Sequence, residues 1–101
     1  MIIPNKVKVG GLEFEVLEDV NVNNEGQVFG STHFRKQKIF IEPDEKQQKK
    51  EQTFFHEVLH AVWWQAGLHS RYKEQKNLEE EIVEALANGM YQVLKDNDLL
   101  K

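Results

Sequence analysis

From Lys6 the chain alternates polar and apolar residues, Lys6-Val7-Lys8-Val9 and then Leu12-Glu13-Phe14-Glu15-Val16-Leu17-Glu18, with Gly10-Gly11 between the two runs. Strict alternation is the period of a strand with one buried face, and a two-residue glycine link tolerates the positive backbone angles of a tight hairpin turn. Val7, Val9, Leu12, Phe14 and Val16 are expected to share the inner face. Asp19 to Gly26 is rich in Asn and acidic groups, which is loop chemistry, and Glu25-Gly26 suggests a turn. Two further strands are expected over Gln27 to Phe34 and Lys38 to Glu42, joined by Arg35-Lys36-Gln37 and ended by Pro43. One of them is expected to be an exposed edge strand, able to hold an extended peptide through main-chain hydrogen bonds.

Beyond Pro43 the period lengthens. Phe55, Val58, Leu59, Val62 and Ala66 recur at helical spacing, which predicts a long helix with that stripe buried. Asp44-Glu45-Lys46-Gln47 supplies an N-cap signal for its start, and Gly67 supplies the stop. Leu68 to Lys76 lacks a period and reads as a connection. Asn77 opens a second helix through Leu94, with Val83, Leu86, Ala87, Met90 and Leu94 on its buried face and Lys95 to Lys101 as a fraying tail. The expected fold class is α+β, with a small antiparallel sheet of about four strands packed on the long helix and a C-terminal helix behind it.

At 101 residues the chain is long enough for one domain with a modest core. The absence of cysteine excludes a disulfide framework and leaves any metal to His, Asp and Glu. A net charge of −4 argues against a nucleic-acid partner, and the basic clusters at Arg35, Lys36, Lys38 and at Lys46, Lys49, Lys50 read as solvated surface. No apolar run approaches the ~20 residues that span a bilayer, so no membrane partner and a cytoplasmic location are expected.

The long helix carries His56-Glu57-Val58-Leu59-His60, an H-E-x-x-H motif. Histidines at i and i+4 project from one helix face about 6 Å apart, within reach of one ion, and that geometry suits Zn²⁺. Glu57 is turned away from that pair, near enough to act as a base on a water at the ion. The bland alternative is two histidines at this spacing by chance, but unpartnered half-buried imidazoles carry a desolvation cost that a metal removes. The acidic first turn of the second helix, Glu79, Glu80 and Glu81, reads either as a helix-dipole preference, with Asn77 and Glu80 at capping-box spacing, or as the source of a third ligand. His33 reads as a surface residue before a site residue, and Trp63 and Trp64 as core before a pocket floor. His69 and Tyr72 have the chemistry of oxyanion donors but sit in a stretch that reads as solvated loop.

With this motif followed by an acidic helix, the chain resembles the small zinc metallopeptidases of the gluzincin type. It looks most like short phage- and mobile-element-encoded members related to the ImmA/IrrE-like group. There the second helix carries a glutamate ligand opening an E-x-x-A/V-x-x-F/L-A pattern, matched here by Glu80-Glu81-Ile82-Val83-Glu84-Ala85-Leu86-Ala87. The resemblance implies a minimal peptidase domain over 1–101 in which His56, His60 and Glu80 bind zinc, Glu57 is the general base, and the substrate is a peptide or protein. Glu84-x-x-Ala87 fits the pattern in part, so Glu84 stays open as a ligand, with Glu79 an outside candidate. A zinc-stabilised binding or regulatory module without turnover, and a metal-free helix–sheet domain, are the competing classes.

Overall fold

The computed structural model describes residues 1–20, 29–75 and 77–100. Four strands, β1 (Lys6–Val9), β2 (Leu12–Glu18), β3 (Gly30–His33) and β4 (Lys38–Ile41), precede helix α1 (Gln47–Gln65), a single helical turn α2 (Leu68–Arg71) and helix α3 (Leu78–Asp96). The α+β class and the order of elements match the sequence reading. The expected Glu25-Gly26 turn and the first residues of the third strand lie outside the described residues.

β1 and β2 form the expected hairpin, with Val9 opposite Leu12 and both linking glycines at positive φ. The sheet order is β1-β2-β4-β3, and here the expectation of a purely antiparallel sheet is corrected: β2 pairs with β4 in parallel, Val16 beside Ile39 and Leu17 beside Phe40. The reason lies in what each strand can bury. β4 reads Lys-Ile-Phe-Ile, and Ile39 and Ile41 are fully buried, so it takes the sheet interior. β3 reads Gly-Ser-Thr-His, a polar strand suited to an edge. The chain therefore passes β3 to the outside and inserts β4 next to β2, which forces the parallel pairing.

α1 is wedged between this sheet and α3, which moves its burial off the expected stripe. Its deepest positions are Thr53, Phe54, Glu57 and Ala61: Phe54 and Ala61 join the sheet core of Val9, Phe14, Ile39 and Ile41, and Thr53 and Glu57 pack against β3. Phe55, Val58 and Leu59 are half-buried, and Val62 and Ala66 are exposed. The apolar period was divided between two packing faces, and the sheet-facing one runs through Glu57. Gly30 lets β3 come this close: a Cβ there would meet Thr53 Cγ2 at 2.6 Å and Glu57 Cγ at 3.0 Å.

The cap expectations also change. Lys46, not Asp44, precedes the first turn of α1, and neither Lys46 nor Asn77 makes a side-chain cap bond, because Lys46 has no acceptor oxygen to offer and Asn77 sits at φ 73°. On α3 only Val83 and Ala87 are buried, while Leu86 and Met90 are exposed. A single neighbouring helix covers a narrow stripe, and nothing among the described residues packs over the rest. Among the described residues no helix is long and apolar enough to cross a membrane.

Away from the histidines, α1 and α3 are tied by Tyr91, whose hydroxyl donates to Glu51 Oε1 at 2.7 Å. Burial by itself would raise the Glu51 carboxyl, but hydrogen bonds from Tyr91 and Gln47 and the Met1 ammonium outweigh it and hold it below the ordinary range. Burial, then the Glu51 carboxylate, push the Tyr91 hydroxyl up to about 12. Glu51's contribution is thus complete above the carboxyl range and fades as pH falls through its lowered value. Tyr91's is complete below its ordinary 10 and fades as pH rises toward about 12. Tyr91→Phe is expected to cost about 1–3 kcal/mol at pH 7. Urea unfolding of metal-free protein checks this: the gap between wild type and variant should shrink toward pH 12.

Candidate metal centre

His56 and His60 stand one turn apart on the α3-facing side of α1, and their rings meet edge to face with centroids 4.9 Å apart. Their Nε2 atoms are 3.2 Å from each other. Glu80, in the first turn of α3, reaches across the seam, with Oε1 2.9 Å from His56 Nε2 and Oε2 3.0 Å from His60 Nε2. Ligand atoms from these three residues lie within 4.8 Å of one another. The helix-to-helix reach explains why the third member comes from α3: the pair on α1 already fills one face of one turn, and the next carboxylates stand opposite.

The other two candidate glutamates occupy the far sides of the rings. Glu84 Oε2 is 2.7 Å from His56 Nδ1, and Glu79 Oε2 is 2.5 Å from His60 Nδ1. A carboxylate at Nδ1 can hold a proton there, and the tautomer it favours is the one that frees Nε2 for a metal ion. In that tautomer the two Nε2 atoms and the Glu80 carboxylate converge on one point, an arrangement that a cation placed between them would stabilise. The donor set, two imidazoles and one carboxylate with no thiolate, fits a divalent ion with an open position. The structure thus brings together His56, His60 and Glu80, and sets Glu79 and Glu84 against the outer nitrogens of the rings.

Glu57 is buried beside this group, with Oε2 3.9 Å from His56 Nε2. Its Oε1 accepts from the Thr32 hydroxyl of β3 at 2.8 Å. Burial raises the Glu57 carboxyl above its ordinary value, against the lowering by Thr32, His60 and His56, and with a further push from Glu80. Glu57, Glu80, Glu84, His56 and His60 line one cleft of about 470 Å³ together with Gly30 and Lys49.

His33 is exposed on the edge strand, against Phe40, and lies outside the cleft. Trp63 is buried, as expected of core. Trp64 is not core: it is partly exposed and sandwiched between Phe34 and His69, its stack on the imidazole only 3.7 Å between centroids. His69 is more than a solvated loop residue, because its Nδ1 is 3.1 Å from Glu79 Oε1 and so backs the brace on His60. Tyr72 packs near Trp63, and neither it nor His69 lines the cleft as an oxyanion donor would. Thr32 carried no sequence signal, since a threonine on an alternating strand is ordinary. His69 carried a weak one, a histidine between two helices that both bear site residues. No family model, no curated protein and no solved structure matches the chain.

Titration with Zn²⁺ as a probe ion separates the three glutamates. Glu80→Gln is expected to weaken binding well beyond the roughly 10- to 100-fold typical of losing a brace, and Glu79→Gln and Glu84→Gln to fall within that range. Glu81→Gln, on the exposed side of the same turn, should leave affinity unchanged. A larger loss in Glu84→Gln than in Glu80→Gln would reverse the assignment.

Proposed function

We propose that the chain is a zinc-dependent peptidase, with Zn²⁺ held by His56, His60 and Glu80 and with Glu57 as general base. The observation that carries this reading is the placement of Glu57, a buried carboxylate with one oxygen fixed by Thr32 and the other on the His56 side of the cleft. A metal that only cross-linked two helices would need no such group, and burying one without a use costs stability. The resemblance to gluzincin-type peptidases of the ImmA/IrrE-like group points the same way. A zinc ion there supplies Lewis-acid polarisation of a carbonyl and a lowered pKa for water.

The chain's own residues do the rest. Glu57 Oε2 takes a proton from the attacking water as its oxygen bonds to the peptide carbonyl carbon, and Glu57 then delivers that proton to the leaving nitrogen as the C–N bond breaks. Thr32, on β3, fixes the orientation of the carboxylate through its hydroxyl. β3 is an edge strand next to α1 whose first residue, Gly30, lines the cleft, and its unpaired edge offers main-chain groups to an extended peptide. The net charge of −4 favours a peptide or protein partner over nucleic acid.

Glu57→Gln keeps the shape and the Thr32 contact but cannot accept a proton. It is expected to retain zinc and lower peptide hydrolysis by about 10²- to 10⁴-fold. A peptide-library digest followed by mass spectrometry, run beside metal analysis of the same samples, checks both halves. Equal cleavage by wild type and Glu57→Gln would remove Glu57 from the chemistry.

A further inference from the structure

The cleft extends past the histidines toward the N-terminal end of α1, where its character changes. Its histidine end carries three carboxylates, Glu57, Glu80 and Glu84. At the other end stands Lys49, the one lysine or arginine among the described residues that line it. Lys49 is half-buried, and its ammonium is held in two ways: Nζ lies 4.4 Å from the Phe29 ring centroid and donates to Gln52 Oε1 at 3.3 Å.

Gln52 is itself fixed. Its amide nitrogen donates to Asn88 Oδ1 on α3, and Asn88 Nδ2 donates to Glu84 Oε1 at 3.1 Å, the same Glu84 that braces His56. A continuous polar wall thus runs from the metal-facing histidine to the lysine. The neighbouring Lys50 pairs with Glu18 at 2.9 Å, whereas among the described residues Lys49 makes no ion pair. A cation positioned by neutral groups, facing a cleft and making no ion pair among the described residues, is arranged to receive an anion.

We propose that Lys49 forms a carboxylate-binding subsite, so that the preferred substrate is a peptide with an acidic group a fixed short distance from the bond that is cut. This rests on the peptidase reading above. The distance follows from helix geometry. Lys49 precedes His56 by two turns, about 10 Å along α1. An extended chain rises about 3.3 Å per residue, which puts the acidic group about three residues from the scissile carbonyl. The carboxylate is either an Asp or Glu side chain or the C-terminus of the peptide. Near the histidines the same group would meet Glu57 and Glu84, so charge alone sets the direction in which the peptide lies.

The test uses the full chain loaded with zinc and a proteome-derived peptide mixture, with cut sites read by mass spectrometry for wild type, Lys49→Gln and Lys49→Glu. Wild type should show Asp and Glu enriched at one position two to four residues from the cut, or cuts at a fixed distance from the C-terminus that vanish when the peptides are amidated. Lys49→Gln should lose the enrichment and about 10- to 100-fold in kcat/KM on acidic peptides relative to neutral ones. Lys49→Glu should shift the preference to Lys and Arg. Wild-type cleavage with no acidic preference, or the same preference in Lys49→Glu, overturns the subsite.

A second arm does not need turnover. Zinc-loaded Glu57→Gln is titrated with an end-blocked hexapeptide carrying one Glu and with its Gln counterpart. Tighter binding of the Glu peptide that disappears in the Lys49→Glu background supports the subsite even if no peptide is cut, in which case only the peptidase reading fails. Equal binding of the two peptides counts against it.

Discussion

Two imidazole nitrogens and a carboxylate face one another across the seam between α1 and α3, and most of what is distinctive in this molecule follows from holding them there. Such a group could hold a metal ion, and a cation within it would offset the like polarity of its oxygen and nitrogen atoms. The fold supports the group from behind as well as in front. Glu84 and Glu79 bind the outer nitrogens of the same two rings. His69, stacked on Trp64, backs Glu79 in turn. The short segment between the helices is therefore part of the centre, because it sets where α3 begins and brings His69 under the brace.

Five glutamates within two helices show how environment divides one chemistry into several roles. Glu51 is buried but fully partnered, and its carboxyl is held down. Glu57 is buried with a single donor, and its carboxyl is pushed up. Glu80 is exposed and reaches to both ligand nitrogens, while Glu84 and Glu79 touch one imidazole each from outside. Burial and partner count, rather than residue type, separate a structural tie, a candidate base, a candidate ligand and two braces. The same reasoning bears on β3: an apolar edge strand would offer no hydroxyl for Glu57.

Much of this was legible in the chain. The H-E-x-x-H spacing fixes the relation of His56, Glu57 and His60 to one another because a helix allows only one. Alternation in Lys6 to Glu18 identifies a hairpin and its inner face for the same reason. Neighbour relations were not legible. Alternation tells which face a strand buries, not which strand lies beside it, and so the parallel β2–β4 pairing was missed. Helical period tells that α1 has an apolar side but not that two layers share it, and so the exposure of Val62 and the burial of Glu57 could not be read. Glu79, Glu80 and Glu84 all stand at ligand-like positions on a helix. Only the crossing of α3 over α1 decides which one points between the rings and which ones pass behind them.

The central claim is that a metal ion joins α1 to α3 through His56, His60 and Glu80. Anomalous diffraction at the zinc edge, from crystals grown with one equivalent of Zn²⁺, tests it most directly because it locates the ion without assuming ligands. The account predicts a single strong peak per chain between His56 Nε2, His60 Nε2 and the Glu80 carboxylate. No peak at that point, or one coordinated by Glu79 or Glu84 in place of Glu80, would contradict it.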